Sequence, residues 1–214
     1  MSALVPCLLL SGCAATLPGD QPLTASYRPA NVFVGSPTLP PNVKRVAVLP
    51  LASDEHNSDL VAGREALEPV LLSELMKSRK FEVSRLPAGC LRLGTGRSAW
   101  SSEDPLPPTF FSTLHDTAGC DAVLFCRLTV FRAYAPLAVG WRLRLVDART
   151  GATLWAADEM FDAGQPAVLA GARRFQLAEL RSTSGSPEQW LILNSPRQFG
   201  QYAAASLVAS IPGP

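Results

Sequence analysis

The chain has 214 residues, of which 47% are hydrophobic and 17% are charged. Such a composition supports a substantial folded core. With 19 Lys and Arg against 18 Asp and Glu, the formal charge is +1 and no basic run stands out, so a nucleic-acid partner is not expected. No apolar stretch approaches the roughly 20 residues of a membrane-spanning helix. Any membrane contact therefore needs another device.

The N-terminus offers such a device. The short apolar run Leu4 to Leu10 leads into Leu10-Ser11-Gly12-Cys13, which resembles the bacterial lipobox. The resemblance implies that residues 1–12 are a signal peptide, cleaved between Gly12 and Cys13, and that a diacylglycerol is attached to the sulfur of Cys13 with palmitate among the acyl chains. Ala14 follows the cysteine instead of an inner-membrane Asp, which implies a lipid-anchored protein of the outer membrane, with its domain in the periplasm.

Two features of this terminus differ from the usual pattern. Residues 1–6 contain no Lys or Arg, and the leader is shorter than the usual 15 to 30 residues or so. A start codon further upstream would explain both. The alternative is an apolar terminus with a chance cysteine.

Residues 13–42 are expected to form the lipidated cysteine and a disordered linker. Six prolines lie among Ser, Thr, Gly and Ala between positions 18 and 41, and this composition favours an extended, poorly packed chain. Asn31 to Val34 is the exception, apolar enough to dock on the folded domain.

The elements predicted after this linker alternate between strands and helices. Strands are expected at 45–50, 81–86, 122–134, 141–147 and 153–159, and helices at 58–78, 110–119, 166–180 and 196–211. Pro69 should kink the first helix or mark a restart. Ser195 and Pro196 are typical of a helix N-cap and first position. The stretch from Pro87 to Pro107 is predicted to be a polar loop.

The stretch from Trp141 to Asp147 predicts which side chains share a face of the sheet. Trp141, Leu143 and Leu145 alternate with Arg142 and Arg144, so the apolar and basic side chains should point in opposite directions. Gly151 suits the left-handed position of a hairpin turn. Asp158 and Glu159 lie on the next strand and face opposite sides, and one of them is expected to pair with Arg142 or Arg144.

This order of elements, β-α-β-α-β-β-β-α-α, predicts an α/β fold. Residues 43–214 should form a single domain whose mixed, partly parallel five-stranded sheet is flanked by helices. The segments VAVLPL, KFEVSRL, AGCDAVLFCRLTVFRAY and WRLRLVDARTGATLW resemble the periplasmic domain family that includes LpoB, CsgG and the N-terminal domain of TolB. The resemblance covers roughly residues 44–161.

The family resemblance implies a binding or assembly module and supplies no catalytic residue. We therefore expect a non-enzymatic adaptor or regulatory factor with a protein partner in the cell envelope. One alternative is a periplasmic protein that binds a glycan or lipid fragment. A secretion-apparatus component is less favoured, because the Pro87 to Pro107 loop is too polar and irregular for membrane strands.

Partner binding is assigned to two segments. Arg97 and Trp100 in the Pro87 to Pro107 loop combine the residue types that dominate interfaces, and Tyr134 and Pro136 lie in the turn between two strands. The alternative for Trp100 is that its ring packs back onto the core.

The remaining chemistry-bearing residues are assigned ordinary roles. His56 and His115 are interpreted as exposed, and Gly94 to Ser98 lacks the Lys of a phosphate-binding P-loop and is interpreted as a loop. Cys126 is expected in the core, and a bridge between Cys90 and Cys120 is left open. No cysteine or histidine cluster predicts a metal site, so the covalent lipid on Cys13 is the one non-protein group expected.

Overall fold

The structure is a computed structural model that describes residues 27–182 and 192–214. Its elements, in chain order, are β1 (Val32–Val34), β2 (Arg45–Val48), α1 (Ser58–Ser78), β3 (Glu82–Arg85), α2 (Ala88–Thr95), α3 (Phe110–Ala118), β4 (Ala122–Arg132), β5 (Ala138–Asp147), β6 (Thr153–Asp162), α4 (Pro166–Ser182) and α5 (Pro196–Ser210). A short 3₁₀ turn, Ile192–Asn194, precedes α5.

The strands form one mixed sheet in the order β1-β6-β5-β4-β2-β3. β2 runs parallel to both β3 and β4, whereas β4, β5, β6 and β1 pair antiparallel. Parallel strands require crossover connections, which α1 and the α2–α3 segment supply, and antiparallel strands need only short turns. The predicted α/β fold with a partly parallel sheet is confirmed.

One face of the sheet is buried along its length, and we call it the covered face. α1 and α5 pack on each other across it, and α4 contacts β6 at its side. The apolar residues of β5 and β6 that point to this face are all buried: Trp141, Leu143, Leu145, Trp155, Ala157 and Phe161. Burying such side chains supplies the main driving force for folding.

The opposite face is covered by helices over its parallel strands and the adjoining end of β5. A second apolar cluster there joins Leu91 of α2 and Phe110 and Leu114 of α3 to Val123 and Phe125 of β4. The rings of Phe110 and Phe125 stack with their centroids 5.8 Å apart. α2 and α3 therefore shield β2, the first half of β4 and Val146 at the end of β5, whereas Ala156 and Met160 of β6 belong to neither core cluster.

Local sequence signals explain where several elements begin and end. The side chain of Asn57 accepts hydrogen bonds from the backbone N–H groups of Asp59 and Leu60 and caps α1, while Ser195 accepts from Gln198 at 3.3 Å and caps α5. Gly151 has φ = 70° in the β5–β6 turn, as predicted. Pro69 lies inside α1, which continues through it.

The N-terminal boundary differs from the expected one. The docking expected for Asn31 to Val34 is confirmed, and Tyr27 and Leu39 also pack on the core, although the linker was expected to extend to Asn42. β1 forms a sixth strand beside β6, and Leu39 is buried and donates its backbone N–H to Gly213 at 2.8 Å. An edge strand of three residues tolerates nearby prolines because only one side of it has to pair.

The long segment after β3 also differs from the prediction, since its first part is helical. α2 spans Ala88–Thr95 and buries Leu91, and Gly96 ends it with φ = 82°. The two glycines within α2 disfavour a helix by roughly 1 kcal/mol each relative to alanine, which explains why the pattern did not predict it. Burial of Leu91 against α3 compensates.

The cysteines of the described residues are free. Cys90 is exposed on α2, and Cys120 and Cys126 are buried, so the Cys90–Cys120 bridge is not formed. Burial raises the pKa of the Cys126 thiol, as expected for a core cysteine. Separately, none of the helices in residues 27–182 and 192–214 is long and apolar enough to cross a bilayer.

Candidate functional site: an open sheet face

The half of the sheet formed by β5, β6 and β1 presents a surface that we call the open face. It consists of the side chains opposite the covered face, namely Phe33, Arg142, Arg144, Ala156, Asp158 and Met160. Each is half-buried or exposed, although the residues that alternate with Arg142, Arg144 and Ala156 along the same strands are in the core. The alternation of β5 predicted this division for Arg142 and Arg144.

Ion pairs organise the middle of the open face. Arg142 lies opposite Asp158 in the β5–β6 register, and its Nη2 atom is 2.7 Å from Asp158 Oδ2. This confirms the predicted cross-strand pair. The hydrogen bond to Asp158 is the main reason that the pKa of Arg142 is raised. Arg144 instead donates to the Thr153 hydroxyl at 2.9 and 2.7 Å.

The loop before α3 reaches this surface through one carboxylate. Glu103 pairs with Arg142 and also with Arg127 of β4, the latter at 3.2 Å. Two arginines, Arg127 and Arg142, therefore share two carboxylates, Glu103 and Asp158. Arg144 forms no ion pair with a described residue, so the surface has an excess of positive charge. Exposed charges of this kind contribute little to stability, but they steer and orient charged partners.

Two large apolar side chains border the arginines. Phe33 of β1 is 54% exposed and Met160 of β6 is 45% exposed. A shallow hollow between Phe33, Arg142 and Arg144 has Ala156 in its lining. Exposed aromatic residues, methionine and arginine are the residue types enriched where proteins bind one another.

A carboxylate behind the open face holds β1 in place. Glu159 accepts hydrogen bonds from the Tyr27 hydroxyl at 2.5 Å and from the backbone N–H groups of Ala30 and Asn31 at 2.8 and 2.9 Å. Burial, followed by the bond to Glu159, raises the pKa of Tyr27. This clasp fixes the segment that contributes Phe33.

The structure places Trp100 in the core, which corrects its expected role as an exposed interface anchor. Its ring is 4% exposed, packs edge-on against Phe110 and donates its Nε1–H to the Thr95 hydroxyl at 2.7 Å. The guanidinium of Arg97 lies 4.5 Å from the Trp100 ring centroid and pairs with Asp104 at 3.4 Å. Arg97 is thus exposed, but its guanidinium is restrained by Trp100 and Asp104.

The other two predicted partner-binding residues lie in the β4–β5 turn. Tyr134 is 70% exposed, and Pro136 follows it across a cis Ala135–Pro136 bond. The carbonyl of Pro136 accepts a hydrogen bond from Arg132, which also pairs with Asp162 at 3.0 Å. These residues border β5 and β6 but have different neighbours from Arg97 and Trp100.

Both histidines are exposed, as predicted. The Nδ1 atom of His115 is 3.0 Å from the carbonyl oxygen of Cys120, at the end of α3. In the part of the chain that the structure describes, no group of three His, Cys, Asp or Glu side chains could hold a metal ion.

Three residues in or beside the open face escaped prediction. Phe33 and Met160 are far apart in sequence, and their common face depends on the pairing of β1 with β6. Glu103 reaches Arg142 from a segment without regular structure. The alternation of β6 could have indicated Met160, since it falls two residues after Asp158. Gly12 and Cys13 lie outside the described residues, so their assigned roles stay predictions.

Comparison with protein-family models and with curated proteins gives no match. Solved structures with a similar arrangement include a PelC dodecamer from Paraburkholderia phytofirmans, which is 16% identical, overlaps 66% of this chain and 87% of that chain, and has a TM-score of 0.42. The lipoprotein GNA1162 from Neisseria meningitidis is 19% identical over 66% of this chain and 99% of that chain, also with a TM-score of 0.42.

The C-terminal domain of LpoB from Salmonella enterica is also similar. It is 15% identical, covers 55% of this chain and 82% of that chain, and has a TM-score of 0.34.

Proposed function

We propose that this protein is a lipid-anchored adaptor of the bacterial cell envelope that binds another protein through the open face and has no enzymatic activity. The observation that carries the proposal is the contrast between the two faces of β5 and β6. The apolar side chains on the covered face of these strands, such as Trp141 and Trp155, are buried under helices. Arg142, Arg144 and Met160 on the open face have no such cover.

The chemistry of the open face defines the kind of partner. The excess of arginine over carboxylate favours acidic side chains, while Phe33 and Met160 at the border favour apolar ones. The partner should therefore present acidic residues next to apolar residues. Arginine suits this role because its planar guanidinium binds carboxylates through two parallel hydrogen bonds.

The location follows from the sequence pattern at Cys13. Residues 1–12 would act as the signal peptide. The diacylglycerol on Cys13 would then hold the domain at a membrane, because two or more acyl chains give stable anchoring. Ala14 supports the outer membrane, with the domain in the periplasm. The proline-rich residues that precede Tyr27 would act as a spacer between lipid and domain.

The docking role is tested with two methionines of similar exposure. A photo-crosslinking residue replaces Met160 on the open face, or Met76, which is 55% exposed on α1, and intact cells are irradiated. We expect one defined adduct from position 160 and none from position 76. Substituting both Arg142 and Arg144 by Gln should abolish the adduct without changing the thermal unfolding temperature by more than a few degrees. Equal adducts from both positions would refute the proposal.

The anchor is tested separately by metabolic labelling with a palmitate analogue. The wild-type chain should incorporate the label, and Cys13→Ser should lose it and accumulate as an unprocessed precursor. Cys90→Ser, which alters an exposed cysteine of the domain, is the matched control and should keep the label. Retention of the label by Cys13→Ser would exclude lipidation at this residue.

A further inference from the structure

At the carboxyl ends of β2 and β3 lies a crevice of roughly 450 Å³ that we call the arginine crevice. Ser53 of the chain after β2 lies on one side, and Arg92 of α2 and Arg97 after it lie on another. Arg127 of β4 completes the lining. It is separate from the open face, although Arg127 borders both.

The topology explains why a crevice forms here. β2 leads into α1, whose buried residues belong to the covered-face core, while β3 leads into α2 and α3, whose buried residues belong to the opposite cluster. Neighbouring parallel strands thus send their connections to opposite faces, and the chain separates between them. In open α/β sheets such a point is the usual place for a ligand.

One guanidinium of the crevice is held in a fixed position. Arg97 stacks on the ring of Trp100, which is itself buried and hydrogen-bonded to Thr95. Stacking uses the flat side of the guanidinium and leaves N–H groups at its edge for hydrogen bonding. The buried tryptophan therefore contributes indirectly, because it restrains an exposed cation.

The carboxylates near these arginines already have partners. Asp104 faces Arg97 and accepts the backbone N–H of Ser101 at 2.8 Å, and Glu55 pairs with Arg64. Arg92 makes no ion pair with any described residue. The lining thus contains three arginines and two engaged carboxylates, and its charge is positive.

A buried hydroxyl gives a second, independent indication of a ligand. The Oγ atom of Ser53 is shielded from solvent, yet it has no hydrogen-bond partner within the described chain. Buried polar groups in proteins are almost always paired. Because Ser53 lines the crevice but its Oγ atom is shielded, a ligand oxygen would pair with the hydroxyl once the Ser53 side chain turns toward the crevice.

We propose that the arginine crevice binds the phosphate group of a small ligand. Arginine forks bind phosphate oxygens through paired hydrogen bonds, and a serine hydroxyl adds a donor. Gly94 and Thr95 belong to α2, so the site is not a glycine-rich loop that cradles phosphate but a set of side chains from three segments. The phosphate can belong to a free phosphomonoester or to a phospholipid headgroup. The proposal does not depend on protein binding at the open face.

The test measures binding to the full-length protein in detergent by isothermal titration calorimetry at constant ionic strength. Two probes distinguish the sources of phosphate: glycerol 3-phosphate represents a free monoester, and glycerophosphoglycerol represents a lipid headgroup. Glycerol controls for the neutral part of both. Tighter binding of the first probe assigns a free ligand, and tighter binding of the second assigns a headgroup.

Two double variants carry the same change of charge. Substituting Arg92 and Arg97 by Gln should weaken binding of the preferred probe at least tenfold. Substituting Arg45 and Arg149 by Gln alters arginines at the opposite end of the strands, at the start of β2 and in the β5–β6 turn. This control should change the affinity for the preferred probe less than twofold. Failure of the wild-type protein to bind either probe, or equal weakening in both variants, overturns the proposal.

Ser53→Ala provides a second measurement that does not alter charge. The hydroxyl has no partner in the free protein, so its loss should leave the thermal unfolding temperature unchanged or higher. Binding of the preferred probe should nevertheless weaken severalfold. Unaltered binding would remove Ser53 from the site, and the arginine variants would then have to carry the proposal alone.

Discussion

Leu143 and Arg144 are neighbours on β5 but lie in opposite environments. Leu143 is in the core of the covered face, and Arg144 lies on the open face with its guanidinium bonded to the Thr153 hydroxyl. The two faces of one strand therefore differ in burial, and the less buried one is the face that we propose for contact. A polar, charged surface on a sheet costs little if the other face supplies enough apolar burial.

The sharpest test of this comparison substitutes each of these neighbours by alanine. Leu143→Ala should lower the free energy of unfolding by about 2 to 5 kcal/mol, since it removes buried methyl groups and leaves a cavity. Arg144→Ala should change it by roughly 0.5 kcal/mol or less. Urea denaturation followed by circular dichroism measures both. Similar losses for the two variants would mean that the faces are not specialised.

Substitution of Gly63 in α1, the helix that packs on the covered face, should have the next largest effect on stability. A Cβ atom added at Gly63 of α1 would lie 2.5 Å from the ring of Phe131 and 2.8 Å from Leu128, so Gly63→Ala should destabilise the fold by about 1 to 3 kcal/mol. Gly89 of α2 has no atom within 4 Å of such a Cβ. Gly89→Ala should therefore stabilise the protein by up to about 1 kcal/mol, and thermal denaturation compares the two. Unchanged or higher stability of Gly63→Ala would contradict the close packing of α1 on β4.

The β5–β6 turn, which sets the register of both faces, has a pH-dependent component. Burial opposes ionisation of Asp147, but the backbone N–H groups of Thr150 and Arg149 bond its carboxylate and lower its pKa. The ionised group thus stabilises the fold above its unfolded pKa of about 4, and that contribution is lost as the pH falls through the lower folded value.

Asp147→Asn should accordingly destabilise the protein by about 1 kcal/mol at neutral pH. The difference from the wild-type protein should shrink in acid, below the folded pKa. Denaturation curves recorded between pH 7 and pH 2 check this. A difference that stays constant over that range would show that the charge of Asp147 plays no part.

The smallest effect is expected on the open face itself. A double-mutant cycle with Arg142→Ala and Asp158→Ala should give a coupling energy of about 0.2 to 1 kcal/mol, because the pair is largely accessible to water. The same cycle measured at 1 M salt should give less. A coupling of several kcal/mol would assign the pair a structural role and weaken the distinction between the faces.

The sequence predicted those parts of the fold that depend on neighbouring residues. The bounds of α1, the Ser195 cap of α5 and the alternation of β5 follow from local periodicity and capping, and all are confirmed. The ion pair between Arg142 and Asp158 could also be predicted from the sequence, because a two-residue period and one turn fix the register of a hairpin.

Long-range contacts set the limit of prediction. β1 becomes a strand only because β6 offers a free edge, and Trp100 is buried only because α3 brings Phe110 beside it. No local pattern contains this information. Of the two alternatives for Trp100, packing of its ring onto the core is the one that the structure shows, whereas Arg97 is exposed and lies in a crevice that the sequence did not reveal.

The clasp at Glu159 has a mechanical consequence. Any force that reaches the domain along the chain before Tyr27 acts first on the bonds from Tyr27, Ala30 and Asn31 to this one carboxylate. The β1–β6 ladder bears load only after they yield, and Phe33 would leave the open face with it. Tension on the chain would thus reach the surface that contains Phe33 through a single side chain.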